Sequence, residues 1–237
     1  DIWIENTTGP GISRFTFDPG EDVAGVWSRD GKTIAYRLNG DHGASINIKP
    51  ASGLEPEKQI LKASLSDDII PNSWSLGDQQ ILWTHRTPNG SYLELTPAGG
   101  GESKRLLTSQ GSESNGQISP DGKWMVYASD ESRNWEIYVT TFPGATGKWQ
   151  VSRGGGTEPR WSADGKEIFY IASTGMLTAV PVTAEATVST GDPRALFQIH
   201  GRAAISSTDA FTYDVSKDGK RFLVNRYVKP EQIAPLN

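Results

Sequence analysis

The chain has 237 residues, and its 26 glycines and 14 prolines place a turn-forming residue at about one position in six. Hydrophobic residues make up 35% and charged residues 22%, which excludes a disordered or low-complexity chain and leaves room for a modest core. The net charge of −5 gives no general attraction to nucleic acid or anionic membranes, and the absence of cysteine excludes disulfides and thiolate metal sites. We therefore expect one compact, loop-rich domain over residues 1–237 that does not bind nucleic acid.

No run of the sequence approaches the roughly 18 apolar residues that a membrane-spanning helix needs. The first eleven residues, DIWIENTTGPG, lack the basic start and apolar centre of a signal peptide. Because a strand-like pattern begins at Asp1 itself, a targeting segment upstream of this sequence is as readily expected as a native start. We expect no membrane insertion by this segment.

One six-residue element recurs five times along the chain, with 47, 44, 43 and 54 positions between successive copies. These separations match a unit of four short strands with their turns, which is one blade of a β-propeller. The copies begin at Trp27 (WSRDGK), Trp74 (WSLGDQ), Ile118 (ISPDGK), Trp161 (WSADGK) and Val215 (VSKDGK).

Each copy predicts a tight turn between the first and second strands of a blade, because Asp-Gly tolerates the positive φ angles that such turns need. Aromatic and branched residues follow at one phase, as in residues 33–36 and 124–127, and predict the second strand. Third and fourth strands recur, as at residues 45–49 and 58–61. No segment has sustained helical periodicity. The sequence therefore predicts an all-β fold, a β-propeller of four-stranded antiparallel blades.

The two ends of the chain carry complementary half-blades. Residues 1–5 and 13–16 match third and fourth strands, whereas residues 211–215 and 221–224 match first and second strands. Pairing the halves would complete a fifth blade and remove two open sheet edges. We therefore predict five blades, with a six-bladed parent that has lost one blade as the alternative. The predicted blades cover about residues 18–62, 63–108, 109–152, 153–198, and 205–228 together with 1–17.

The W-S-x-D-G-K element and its aromatic-ended second strand resemble the TolB-like repeats of bacterial β-propellers, which are distant relatives of the WD-repeat class. Segments such as residues 147–152, GKWQVS, look like propellers found after bacterial serine/threonine kinase domains. The resemblance implies a sensing or docking module, a periplasmic or other extracytoplasmic location with the cytoplasm not excluded, and fusion to a kinase or membrane-anchored segment in a longer protein. Two departures stand out: residues 76–78 read LGD instead of the usual turn, and many family members have six blades.

The segments that enter the first strands differ from blade to blade, unlike the repeated turns. First strands surround the channel of a propeller, so polar side chains there should converge at the channel mouth opposite the Asp-Gly turns. Glu113 belongs to these segments, and simple hydration of the whole set is the alternative. The predicted ligand-binding residues are Asp22, Asn72, Asn115, Glu158, Arg160 and Asp214.

Other candidates for chemistry have simpler explanations. The recurring Ser and Asp residues are assigned to folding, because Asp bonds local backbone in such turns. Trp27, Trp74 and Trp161 share one repeat position and are expected to pack between blades. His42 and His85 are expected in solvated hairpins, and three histidines without cysteine disfavour a zinc enzyme. We predict no catalytic residues and no cofactor, with a loosely bound channel cation such as calcium left open.

These observations favour a non-catalytic recognition, sensor or scaffold propeller that binds a protein or a small polar ligand at the channel mouth. The alternative is a hydrolase or lyase that acts on a sugar, lactone or polyol. In that case channel-mouth carboxylates would serve as acid and base, with a bound cation. This alternative rests on analogy between propellers.

Overall fold

The computed structural model describes residues 1–7, 9–41, 43–199 and 211–225. All regular secondary structure within these ranges is β, which confirms the predicted all-β fold class. The described ranges contain no helix long and apolar enough to cross a bilayer. His42, and residues 205–210 and 226–228 of the predicted last blade, lie outside the described residues.

Four antiparallel sheets follow one another along the chain, and a two-stranded hairpin precedes them. The hairpin consists of β1 (Trp3–Glu5) and β2 (Ile12–Arg14). Sheet 1 consists of β3 (Glu21–Trp27), β4 (Thr33–Gly40), β5 (Gly43–Pro50) and β6 (Lys58–Lys62). Sheet 2 consists of β7 (Asp68–Trp74), β8 (Gln80–Thr87), β9 (Gly90–Pro97) and β10 (Lys104–Arg105).

The second half of the chain continues the same pattern. Sheet 3 consists of β11 (Glu113–Ile118), β12 (Trp124–Ser129), β13 (Glu136–Thr141) and β14 (Trp149–Gln150). Sheet 4 consists of β15 (Gly156–Trp161), β16 (Glu167–Ala172), β17 (Met176–Ala184), β18 (Val188–Thr190) and β19 (Arg194–Gln198). Both β18 and β19 pair with β17, so sheet 4 has one strand more than the repeat predicts. A second hairpin, β20 (Tyr213–Val215) and β21 (Phe222–Val224), follows.

The Asp-Gly turns are held by one local hydrogen-bond pattern. In sheet 1 the Ser28 hydroxyl donates to Asp30 at 2.8 Å, and Asp30 accepts from the Lys32 amide at 2.9 Å. The Thr33 amide donates to the Ser28 hydroxyl oxygen at 2.9 Å, and Gly31 takes a φ of 71°. The same Ser-to-Asp bond recurs in the turns after β11, β15 and β20. The repeated polar residues therefore serve folding.

The first strand of each of the four sheets is interrupted by a β-bulge at a similar position. The pairing register with the second strand shifts just before the repeat element in β3, β7, β11 and β15. Ala24, Asn115 and Glu158 occupy these bulges with φ values of 56°, 53° and 53°. A bulge bends a strand and redirects its side chains. The bulges therefore break the simple alternation from which side-chain directions in a strand are predicted.

The core is divided into layers between neighbouring sheets. Ile46 of sheet 1 packs with Ile81 of sheet 2, and Leu93 of sheet 2 packs with Met125 of sheet 3. Sheets 3 and 4 share a third layer, so each sheet is buried on both faces by its neighbours. Trp74 and Trp161 lie in these layers, as predicted, whereas Trp27 is 49% exposed and the prediction for it was wrong.

The closure predicted for the chain ends is not formed by strand pairing in the described residues. Strands β1 and β2 pair with each other, as do β20 and β21, and the two hairpins remain separate sheets. Each hairpin instead packs some of its apolar residues on the sheet beside it in sequence, such as Ile4 against Tyr36 of sheet 1 and Phe222 against Phe169 of sheet 4. Other apolar residues of the hairpins, Trp3, Ile12 and Leu223, stay more than half exposed, and the strand edges stay unjoined. The number of blades therefore stays a prediction.

Candidate functional site

A cavity of about 660 Å³ lies where the first strands of the sheets meet. Its wall is built from five successive parts of the chain: β3, β7, β11, β15 and the segment from Phe211 to Lys217. This volume is within the range of small-molecule and cofactor sites. The polar and charged residues that line the cavity include Arg29, Asn72, Gln117, Arg160, Asp214 and Lys217.

The cavity contains half of the predicted ligand-binding residues. Asn72, Arg160 and Asp214 line it, whereas Asp22, Asn115 and Glu158 do not. The lining also includes Arg29 and Lys217, which sit in or beside the Asp-Gly turns. The cavity therefore lies toward the strand ends that carry these turns, and not toward the opposite ends where sequence reasoning had placed the site.

Asn72 reaches the cavity from the bulge of β7. The Thr84 hydroxyl, on the paired strand β8, donates to Asn72 Oδ1 at 2.6 Å. Asn72 is 1% exposed, and its Nδ2 group finds no acceptor among the residues that the structure describes. The wall of the cavity therefore includes a residue whose buried amide donor has no partner within the described ranges.

Arg160 lies at the end of β15 and contacts the C-terminal hairpin segment. Its guanidinium carbon is 3.7 Å from the centre of the Phe211 ring, and its terminal nitrogen Nη1 is 3.6 Å from Asp214 Oδ1. The Nε group of Arg160 is buried and has no acceptor within the described ranges. Because the Asp214 side chain is 64% exposed, this ion pair is screened by water and contributes little to stability.

Arg29 is a cavity residue that sequence reasoning missed. Its guanidinium donates to the backbone carbonyls of Trp74 (3.0 Å), Ile118 (3.0 Å), Ser119 (2.8 Å) and Pro120 (3.0 Å). One side chain from sheet 1 therefore binds sheets 2 and 3. The only signal in the sequence is variation, because the third position of the repeat element reads Arg, Leu, Pro, Ala and Lys.

The irregular turn at residues 76–78 has a structural explanation. Asp78, with a φ of 55°, accepts from the backbone amide of Arg29 at 2.8 Å through one oxygen and from that of Asp30 at 3.2 Å through the other. The displaced aspartate thus binds the turn of sheet 1 instead of closing its own turn. This bond holds the backbone of Arg29 while its side chain crosses the wall of the cavity.

Two acidic residues at one repeat position, Asp22 and Glu113, are buried away from the cavity. Asp22 is 2% exposed, and neither carboxylate oxygen has a hydrogen-bond partner among the described residues. Glu113 is fully buried and accepts a bond from the Ser109 hydroxyl. Burial raises the pKa of both carboxyl groups. This increase is larger than the lowering of the pKa by Thr16 at Asp22 and by the Ser109 hydroxyl at Glu113. Neither residue lines the cavity, and a ligand-binding role for Asp22 stays a prediction.

Glu158 holds the C-terminal hairpin to sheet 4. One carboxylate oxygen accepts from both the backbone amide and the hydroxyl of Thr212, each at 2.6 Å. The Tyr213 hydroxyl donates to the Glu158 backbone carbonyl at 2.9 Å. Burial raises the pKa of Glu158 despite these bonds. The bonds engage the carboxylate between two elements, so it is structural.

His85 is half-buried in β8 and not in a solvated hairpin as predicted. Its Nδ1 is 2.9 Å from Glu94 Oε1, and its Nε2 is 3.2 Å from Asp67 Oδ2. In the part of the chain that the structure describes, no group of three or more histidine or acidic side chains is arranged to hold a metal ion. The channel cation stays a prediction.

The comparison with known proteins identifies the architecture. No family model and no curated protein sequence matches this chain. The chain is similar to the structure of a putative TolB from Agrobacterium tumefaciens, with a TM-score of 0.67, 16% identity, and coverage of 83% of this chain and 73% of that one. It is also similar to TolB from Acinetobacter baumannii, with a TM-score of 0.73, 19% identity, and coverage of 93% and 52%. The chain thus spans about half the length of that TolB.

A third similar structure is an oligogalacturonate lyase in complex with manganese. Its TM-score is 0.65 at 13% identity, with coverage of 95% of this chain and 64% of the lyase. Identities this low show the fold and carry no activity from one protein to another. This chain has a TolB-like β-propeller fold.

Proposed function

We propose that this chain is a non-catalytic recognition module that binds a protein partner or a small polar ligand in the central cavity. The observation that carries the proposal is the cavity wall, where five segments of the chain meet and where Asn72 and Arg160 carry buried polar groups without partners among the described residues. The Asp residues of the repeat are engaged in the turns, whereas Asn72, Arg160 and Asp214 in the cavity lining lie outside the repeat elements. The family resemblance adds support, because it implies a sensing or docking role.

The distribution of carboxylates favours recognition over hydrolysis. General acid–base cleavage of a glycosidic bond uses a pair of carboxyl groups on either side of the bond. The described lining of the cavity supplies one acidic residue, Asp214, whereas Asp22, Glu113 and Glu158 are enclosed between strands and sheets. The available side chains are therefore better suited to holding a ligand than to cleaving one.

A photo-crosslinking experiment tests the proposal. A photoreactive benzoylphenylalanine replaces Ala163, which lines the cavity, and in a control protein it replaces Leu54, which is 90% exposed and outside the cavity lining. We expect the Ala163 variant to crosslink to one reproducible partner in cells. The purified partner should bind the unmodified protein, and its binding to the variant should protect position 163 from other crosslinks. Equal labelling from both positions, or a purified partner that does not protect Ala163, contradicts the proposal.

The second candidate function is a lyase that acts on an acidic sugar polymer. The similar fold of the oligogalacturonate lyase supports it. Incubation with oligogalacturonate and manganese tests it, because elimination would create an unsaturated product that absorbs ultraviolet light. Steady product formation that Arg160→Gln abolishes would show that this cavity is a catalytic site and not a recognition site.

The proposal includes an extracytoplasmic location, which the resemblance to TolB-like propellers supports. Fractionation of cells that express the natural full-length protein tests this location. Recovery in the cytoplasmic fraction alone would contradict it.

A further inference from the structure

Two residues in the wall of the central cavity carry buried hydrogen-bond donors that have no acceptor among the described residues. Nδ2 of Asn72 and Nε of Arg160 are both buried, and neither finds an acceptor among the residues described. The two residues come from β7 and β15, and both line the cavity. Buried donors without acceptors are rare in folded proteins, because leaving them unpaired is unfavourable. A ligand with acceptor oxygens would satisfy both.

The charged side chains of the lining favour the same kind of ligand as the unpaired donors do. Arg29, Arg160 and Lys217 are cationic, and Asp214 is the one acidic residue in the described lining. The guanidinium of Arg29 is already bonded to carbonyls, so it contributes charge and not free donors. A concave site with an excess of one sign of charge attracts ligands of the opposite sign. The cavity therefore favours an anion.

The contact between Asp214 and Arg160 indicates that the Arg160 guanidinium can bind a carboxylate. The Asp214 carboxylate lies 3.6 Å from Arg160 Nη1 but is 64% exposed, which is a loose contact beyond hydrogen-bond length. A ligand carboxylate in the cavity would meet the same guanidinium with less competition from water, and arginine binds carboxylates through two parallel bonds. Asp214 is then a weak internal competitor that a ligand displaces.

From these contacts we infer that the central cavity binds a carboxylate group, held by Asn72 and Arg160 and attracted by Lys217. The inference rests on the proposed recognition function and names the chemistry of its ligand. The carboxylate can belong to a small acid or to an Asp or Glu side chain of a protein, and the two sources share this recognition. Trp27 lies in the same wall with its ring half exposed, so it provides an apolar surface beside the anion and a fluorescent reporter.

Matched acidic and neutral probes test the inference by tryptophan fluorescence and calorimetry. One pair is D-galacturonate and D-galactose, and the other is the tripeptide Gly-Glu-Gly, blocked at both ends, and its Gln counterpart. We expect the acidic member of at least one pair to bind about tenfold or more tightly than its neutral partner. Binding of the sugar acid alone identifies a small-molecule source, and binding of the peptide alone identifies a protein source.

Variants tie the binding to the named residues. Arg160→Gln is expected to weaken the acidic probe by about tenfold to a hundredfold, as loss of a charged hydrogen bond does. Arg153→Gln is the control, because it makes the same charge change at a side chain that is 70% exposed and outside the cavity lining. Asp214→Asn is expected to tighten binding, because it removes the competitor. A residue that merely supported the fold would not produce this gain.

Several results would overturn the inference. These are failure of both acidic probes to bind, equal binding of acidic and neutral partners, tighter binding of inorganic phosphate than of either acid, or equal losses in Arg160→Gln and Arg153→Gln. If Arg160→Gln does not fold, the direction of the Asp214→Asn effect decides. Crosslinking at Ala163 tests the recognition function separately. If a partner is captured there but the cavity shows no preference for carboxylates, the recognition function is supported and the carboxylate inference is not.

Discussion

Trp74 donates a hydrogen bond from its indole Nε1 to the backbone carbonyl of Val26, in the first strand of the preceding sheet, at 3.0 Å. Trp161 makes the equivalent bond to the Gln117 carbonyl at 3.3 Å. Val26 and Gln117 each come directly before the first residue of a repeat element, so one position of the repeat joins successive sheets. Trp27 belongs to the first four-stranded sheet, and its ring is exposed.

Truncation of Trp74 should destabilise the protein far more than truncation of Trp27. Trp74→Ala removes a buried ring and the bond to Val26, and we expect it to lower the free energy of unfolding by about 3–5 kcal/mol. Trp27→Ala changes the same repeat position at a ring that is 49% exposed, and we expect a clearly smaller loss than for Trp74→Ala. Chemical denaturation of both variants measures the difference. Equal losses would show that the indole bond between sheets does not matter.

Closure of the ring predicts a specific contact for Trp27. By analogy with Val26 and Gln117, its acceptor would be the backbone carbonyl of Asp214, which directly precedes Val215. Because the protein has no cysteine, a short bismaleimide can test this in the double variant Trp27→Cys with Asp214→Cys. We expect crosslinking within one chain at a rate similar to that of Val26→Cys with Trp74→Cys. Crosslinking between chains would contradict closure within one molecule.

Loss of the Arg29 side chain should loosen the contacts among sheets 1, 2 and 3. Arg29→Ala leaves the carbonyls of Trp74 and Ser119 without their donor, and we expect a loss of about 1.5–3 kcal/mol, as for hydrogen bonds to charged groups. Arg153→Ala is the control for charge, since that side chain is 70% exposed. Thermal melting measures both, and a similar melting temperature for the two variants would argue against this role of Arg29.

The pH dependence of stability should report the buried carboxyl of Glu113. Burial raises its pKa in the folded state, so folding favours the protonated form. This group stabilises the fold below its unfolded pKa of about 4.3, and that contribution is lost as the pH rises through the higher folded value. Glu113→Gln should therefore be more stable than the parent at pH 7 and about equally stable below pH 4. Glu102→Gln, at an exposed position, is the control, and an equal effect of both substitutions at pH 7 would refute the assignment.

The repeated hairpins follow from local features of the sequence. Ser28, Asp30 and Gly31 form their turn with residues only a few positions away, so the same letters give the same turn wherever they recur. The strands that follow these turns start where the sequence predicts, at Thr33, Gln80, Trp124 and Glu167. Local bonds and alternating apolar residues are sufficient for this level of structure.

The choice of polar residues that share the cavity depends on the packing of whole sheets and could not be predicted from the sequence. A bulge in each first strand redirects the side chains near it, so Asn72 and Arg160 line the cavity while Asp22 and Glu113 are buried elsewhere. Arg29 reaches carbonyls up to 91 positions away, a distance at which no local pattern operates. These placements depend on how whole sheets pack against each other, and a bulge that shifts the register by one residue changes the side a residue faces.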